Sequence, residues 1–220
     1  MTKRKTQPKL TRAERLRQAA QERREREKQE LHRAILDAAG ELFLEQGYEG
    51  FSLRHVAERI GYSPGTIYLH FEDKDDVLFQ VVNEGFAEFG QRLAAAAAST
   101  DDPEERLRAL GQAYITFGLN HPAHYQLMFM QRTDFLMKKP AKDLDPHIHS
   151  FYILQQAVEA AMAAGVIRQD DPEIVSHAIW ATVHGLVALR ICMPDFFDKV
   201  HFDRVIEIGR NLAIDGLRPT

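Results

Sequence analysis

The feature that most constrains this chain is the period of its apolar residues. Spacings of three and four recur along almost the whole length, as in Leu31, Ala34, Ile35, Ala38, Leu42 and Phe43. Strict alternation never persists. A period near 3.6 gathers such residues on one side of a helix, whereas a half-buried strand needs a period of two. The chain is therefore expected to be all-α. At 220 residues it has room for a small helical domain followed by a larger one.

Helix punctuation divides the chain further. Thr11-Arg12-Ala13-Glu14 has the form of a capping box, and no Gly or Pro follows until Gly40. A helix is expected from about Thr11 into the segment that begins near Glu30. From Arg12 to Gln29 it is polar nearly all round, with Leu16 and small alanines as its apolar content, so it buries nothing alone. Gly47 is expected to close the segment that follows. Ser52 stands as an N-cap before Leu53, Val56, Ala57 and Ile60, and Gly61 stops that helix. Ser63-Pro64 restarts the chain with a cap hydroxyl and a proline at the first helical position, for a short helix ending near Phe71. Asp73 is expected to cap a fourth helix running to about Ser99, with Asp75 and Asp76 complementing its dipole. Beyond the Asp101-Asp102-Pro103 break, helices are expected near 103–120, 122–131, 147–165 and 171–193, with Met137 to Pro146 a loop. A last helix is expected from His201 to Ile214.

Charge is unevenly placed. Residues 1–30 hold 11 Lys/Arg and 5 Glu, and the remainder holds 17 basic and 27 acidic residues. A basic arm on an acidic body points to a local anionic partner; a solvated tail is the plainer alternative. The single cysteine, Cys192, allows no intrachain disulfide. No charged-then-apolar leader is visible, and the most apolar run, Ala178 to Leu189, is shorter than a bilayer span and contains His184. A cytoplasmic protein with no membrane association is expected.

Three short helices, the second and third joined by a glycine-containing turn, are the helix-turn-helix arrangement. The residues from Ile35 to Leu78, "ILDAAGELFLEQGYEGFSLRHVAERIGYSPGTIYLHFEDKDDVL", resemble the N-terminal DNA-binding domain of the TetR family of bacterial transcriptional regulators. The resemblance covers about a fifth of the chain. It implies a dimer on a double-stranded DNA operator, with one recognition helix per half-site. Tyr68, His70 and Lys74 match phosphate-contacting positions. Ser52 and Ser63 sit at helix N-termini that can hold phosphate oxygens. Arg54 matches a position that can address guanine bidentately, and Pro64, Gly65 and Thr66 offer the groove a small surface. Beside these stand plainer roles: Tyr68 as a core tyrosine, His70 as a solvated histidine, Arg54 paired to Glu58 one turn on.

The resemblance further implies a ligand pocket and a dimer interface in the remainder. "HPAHYQLMF" (His121–Phe129) and "WATVHGL" (Trp180–Leu186) resemble a C-terminal subgroup named for its Trp-His-Gly residues, here Trp180, His184 and Gly185. Tyr114, Phe117, Tyr125, Met128, Phe129, Tyr152, Met162, Trp180 and His184 are candidates to line a cavity for an effector of unknown identity, although aromatic residues at helical spacing are commonly ordinary core. The last two long helices are expected to form the homodimer interface, with Gly209 allowing close approach. The expected organisation is a basic arm over 1–30, a helix-turn-helix domain over 31–76 and a helical ligand-binding and dimerisation domain over 77–220.

His121, His124, His147 and His149 raise the question of a metal, but no carboxylate or cysteine joins them at a ligand spacing, so no metal and no cofactor are expected. No phosphate loop, nucleophile elbow or paired metal motif is present, and catalysis is not expected. Two readings remain open: a ligand-responsive repressor, and a DNA-bound protein whose C-terminal domain recruits another protein.

Overall fold

The computed structural model describes residues 11–130, 145–196 and 198–219, and among these every regular element is a helix. The order is α1 (Arg12–Gly50), α2 (Leu53–Ile60), α3 (Pro64–Tyr68), α4 (Lys74–Ala97), α5 (Pro103–Asn120), α6 (Pro122–Phe129), α7 (Asp145–Ala163), α8 (Pro172–Cys192) and α9 (Lys199–Asp215). The chain divides into two compact units, Met1–Lys74 and Asp75–Thr220.

In the first unit, Thr11 and Glu14 form the reciprocal capping box, and α1 runs on through the polar arm. All of residues 11–30 are exposed, and burial begins where the apolar stripe does, at Ile35, Leu36, Ala38, Ala39, Leu42 and Phe43. Gly47 and Gly61 both take positive φ, 67° and 73°, which only glycine adopts cheaply; one ends the regular geometry of α1 and the other turns α2 toward α3. Ile67 and Phe71 pack into the core with Leu53, Val56 and Ala57. α3 is shorter than its sequence suggests. It ends at Tyr68 rather than near Phe71, and the next residues continue in turns.

In the second unit α5, α7, α8 and α9 pack on one another. The Asp102-Pro103 and Asp171-Pro172 starts cap as expected, each aspartate accepting backbone N–H groups of the first turn. α7 already begins at Asp145, so the expected loop is wrong over Asp145 and Pro146; its portion 137–144 lies outside the described residues. His121 occupies the N-cap position of α6 but gives no side-chain cap; its ring stacks on Phe117 instead, centroids 5.0 Å apart. Gly209 lets α9 approach α8 within one protomer, since a Cβ there would lie 3.0 Å from Leu186.

α8 spans 21 residues and is long and apolar enough to cross a membrane by length and composition, which the shorter run read from sequence did not suggest. One stripe, Val175, Ile179, Val183, Leu186 and Val187, is buried in the unit. Ile174, Ala178, Ala181 and Leu189 face outward.

Candidate functional sites

The helix-turn-helix is built by its caps. Ser52 Oγ accepts the His55 N–H at 3.3 Å. Ser63 Oγ accepts the Thr66 N–H at 3.2 Å and pairs with Thr66 Oγ1 at 2.9 Å. Both hydroxyls are thus committed to starting α2 and α3. Pro64 and Gly65 are exposed and Thr66 is half-buried, so the first turn of α3 presents a low, open surface. Tyr68 is 59% exposed and therefore does not serve the core. Arg54 is exposed and paired to Glu58 at 3.1 Å. Lys74 Nζ donates to the Tyr48 carbonyl at 2.9 Å and lies 3.9 Å over the Tyr48 ring, fastening the start of α4 to the end of α1. His70 is half-buried, and burial, followed by the charges of His32 and Lys28, disfavours its protonated form.

The second unit contains a cavity of about 330 Å3, within the range of small-molecule sites. α4 supplies Phe86, Phe89 and Leu93; α5 supplies Leu110, Gly111 and Tyr114; α6 supplies Met128 and Phe129. Ser150, Phe151 and Leu154 come from α7, and His177, Ile179, Trp180 and Val183 from α8. Of the residues expected to line it, Tyr114, Met128, Phe129 and Trp180 do so. Phe117, Tyr125 and His184 stand one layer behind. Phe117 packs on Phe89 with centroids 5.1 Å apart. Met162 is buried without lining it. Tyr152 is 55% exposed and lies away from the cavity. The reason is helical phase: Ser150, Phe151 and Leu154 share the inward face of α7, and a residue one step past Phe151 turns by about 100°. Among the lining residues missed, Phe86, Phe89 and Leu93 carried a signal in their spacing of three and four, but that spacing is shared by any core stripe.

A polar chain runs through the wall. Trp180 Nε1 donates to Tyr114 Oη at 3.0 Å. Tyr114 Oη lies 3.0 Å from Tyr125 Oη, and Tyr125 Oη lies 2.6 Å from His184 Nδ1. Burial pushes the Tyr114 phenol up to about 12 and Tyr125 higher still, while burial lowers His184. All four groups are thus neutral near pH 7, and the chain satisfies buried polar atoms that an apolar wall would otherwise orphan. At the mouth, His177 Nδ1 donates to the Glu173 carbonyl at 2.8 Å, since a carbonyl can only accept. In the neutral ring Nε2 is then an acceptor.

Among the described residues no group of three or more metal-ligating side chains is present. His121 and His124 are ring neighbours, with centroids 6.1 Å apart, and His121 Nε2 lies 3.6 Å from Glu88.

Comparison with known proteins places two family descriptions on the chain: "Bacterial regulatory proteins, tetR family" over residues 35–81, and "Tetracyclin repressor-like, C-terminal domain" over residues 107–196. The chain is 28% identical over 187 residues to the HTH-type transcriptional regulator TtgR of Pseudomonas putida, covering 80% of this chain and 87% of that protein. It is 30% identical over 95 residues to the HTH-type transcriptional activator FasR of Mycolicibacterium smegmatis, a match spanning 43% of each. In structure it resembles a TetR/AcrR-family regulator from Thermobifida fusca (TM-score 0.64, 27% identity, covering 86% of this chain and 100% of that one). It also shares its fold with the fatty acid degradation regulator FadR of Bacillus halodurans (TM-score 0.72, 22% identity, 86% and 97% covered).

Proposed function

We propose that this chain, a TetR-family transcriptional regulator, acts as a homodimeric repressor that leaves its operator when a neutral, largely apolar molecule fills the cavity of the second unit. The observation that carries the reading is the cavity itself. A recruiting module would have no use for an aromatic chamber inside its core, so the small-molecule reading is favoured over the protein-recruiting one. α4 links the two functions along one helix: it opens at Lys74, the last residue of the first unit, and contributes Phe86, Phe89 and Leu93 to the cavity wall. Effector binding works only through a difference in affinity between the DNA-bound and free arrangements.

The lining narrows the effector. Trp180 N–H donates to the Tyr114 hydroxyl, which is itself engaged with Tyr125 and His184, and the rest of the described wall is mostly hydrocarbon and aromatic ring. A charged group buried against it would lose its hydration uncompensated. His177, whose Nε2 is an acceptor in the neutral ring, is one of the polar residues of the lining, so we read the effector as an apolar body carrying one hydroxyl or phenol donor. Trp180, His184 and Gly185 fit the Trp-His-Gly subgroup on this reading, the first two as members of the polar chain.

On DNA, Tyr68 and the first turn of α3 are the accessible groups. We assign Tyr68, His70 and the helix starts at Ser52 and Ser63 to phosphates, with Lys74 anchoring α4 beside them. Arg54 reads a base by exchanging Glu58 for guanine, and Pro64, Gly65 and Thr66 lie in the groove. For the dimer we assign the exposed apolar residues Ile174 and Leu189 of α8 and Ile208 and Leu212 of α9, on helices that pack side by side, a four-helix interface when doubled. Selection of bound sequences from a random duplex library, followed by anisotropy at increasing salt, tests the DNA reading. A palindromic site bound with steep salt dependence is expected; sequence-indifferent or absent binding would overturn it.

A further inference from the structure

The exposed arm of α1 has a direction. In the folded part of the helix, Ile35, Ala39 and Leu42 lie on the buried face. Stepping back from Ile35 by three and then by fours and threes gives His32, Lys28, Arg24, Gln21 and Arg17. These residues are on the same face of a regular helix, because steps of three and four return to it. The stripe that is apolar where the domain folds becomes basic where the domain ends. The helix is continuous through this junction, so the basic stripe leaves the domain on the side against which the domain packs.

That side adjoins the recognition helix. His32 stacks on Phe71 with centroids 5.2 Å apart, and Phe71 neighbours His70, centroids 6.4 Å apart. Lys28, one turn before His32, is near enough that its charge disfavours protonation of His70. Other arginines of the arm are differently placed. Arg23 pairs with Glu27 at 3.5 Å, and Arg12, Arg15 and Arg26 lie on the far side of the helix. Glu14 is bound to its Thr11 cap and Glu22 to Gln18. Arg17 and Arg24 have no carboxylate partner among the described residues.

We propose that Arg17, Arg24 and Lys28 form a phosphate-binding track continuous with His32 and His70, which lays the arm along the sugar–phosphate backbone of duplex DNA beside the base-reading helix. From Arg17 to His32 the track is about 22 Å long, at 1.5 Å per residue, enough to follow several consecutive phosphates. The arrangement explains how an acidic helix-turn-helix segment acquires general affinity for a polyanion. Base reading stays with α3, and the track supplies the electrostatic, sequence-independent part of binding. This inference rests on the DNA-binding reading above.

The test uses the full chain and a fluorescein-labelled 40-base-pair duplex, with anisotropy measured across salt concentrations. Two triple variants carry the same change in net charge: R17Q/R24Q/K28Q on the track, and R12Q/R15Q/R26Q on the far side. The track variant is expected to lose roughly tenfold or more affinity near 0.1 M salt, and its log–log salt slope to flatten by about 2 to 3 per protomer, near 0.9 per lost phosphate contact. The far-side variant is expected to change by less than half as much. Equal losses in the two variants would overturn the face-specific track, and no loss in either would overturn a phosphate role for the arm. Failure of the wild-type chain to bind duplex at all would instead sink the DNA-binding reading itself. Circular dichroism confirms that each variant keeps its helix content.

Discussion

Trp180 Nε1 donates to Tyr114 Oη across 3.0 Å, joining α8 to α5 at the wall of an aromatic cavity. Trp180 is also the one tryptophan of the chain. Its emission therefore reports on the cavity alone. A neutral aromatic alcohol such as 1-naphthol is expected to perturb Trp180 fluorescence saturably, and a carboxylate of the same ring system to bind at least about tenfold more weakly for want of a partner for its charge. Equal binding of the two would contradict the effector class.

Tyr125 is fully buried and holds His184 Nδ1 at 2.6 Å. Tyr125→Phe keeps the ring and removes the hydroxyl. Tyr114 Oη, 3.1 Å from the same nitrogen, can take over part of the bond. The expected loss is about 1 to 2 kcal/mol, between a net hydrogen bond and the full penalty for an orphaned buried group. Urea unfolding measures it. Removing both hydroxyls with Y114F/Y125F leaves His184 Nδ1 and Trp180 N–H unpaired together, and should cost more than Tyr125→Phe alone.

Burial holds the His184 protonation equilibrium below its ordinary value. Between that lowered value and the unfolded value of about 6.5, the unfolded chain binds a proton that the native chain does not. Stability therefore falls as pH drops through this window, and His184 adds no further slope above it. His184→Gln cannot titrate. The fall in melting temperature from pH 7 to pH 5 should accordingly be smaller in the variant than in the wild type, with the remaining histidines common to both.

Tyr68 stands 59% exposed on the recognition helix. Tyr68→Phe is expected to leave the melting temperature nearly unchanged, as surface substitutions do within about 0.5 kcal/mol. Operator affinity should fall about tenfold or more, since a hydrogen bond to a charged group is worth about 1.5 to 3 kcal/mol. Lys74→Met differs: it removes both the bond to the Tyr48 carbonyl and the ring contact, so thermal stability and DNA affinity should fall together.

Leu212 is 66% exposed and Ile208 46% exposed on α9. The double variant I208E/L212E is expected to sediment as a monomer where the wild type sediments as a dimer. Retention of the dimer would place the interface elsewhere.

The helix-turn-helix was legible because punctuation there is local chemistry. Ser52, Gly61 and Ser63-Pro64 announce their own backbone geometry, and each does in the fold what its residue type dictates. The cavity was half legible. Tyr114, Met128, Phe129 and Trp180 stood out by size, but size does not distinguish a wall from the layer behind it, where Phe117 and Tyr125 lie. Tyr152 failed for a different reason. Which neighbour of a pair faces inward depends on the phase of α7, and Phe151 beside it is equally aromatic. Phe86 and Phe89 lie on the same stripe as residues of ordinary core, and only the packing of α5 and α7 opposite them leaves a space. The arm could be read as basic and helical, but the face its cations occupy acquires meaning only when His32 is seen against Phe71.

Control of DNA binding by the cavity is tested directly by one titration. A neutral aromatic alcohol is added to the full chain bound to a labelled operator duplex, and Trp180 emission and duplex anisotropy are followed together. Both signals are expected to change with the same midpoint, and anisotropy to fall to that of free DNA. Saturation of the Trp180 signal with anisotropy unchanged would contradict that control.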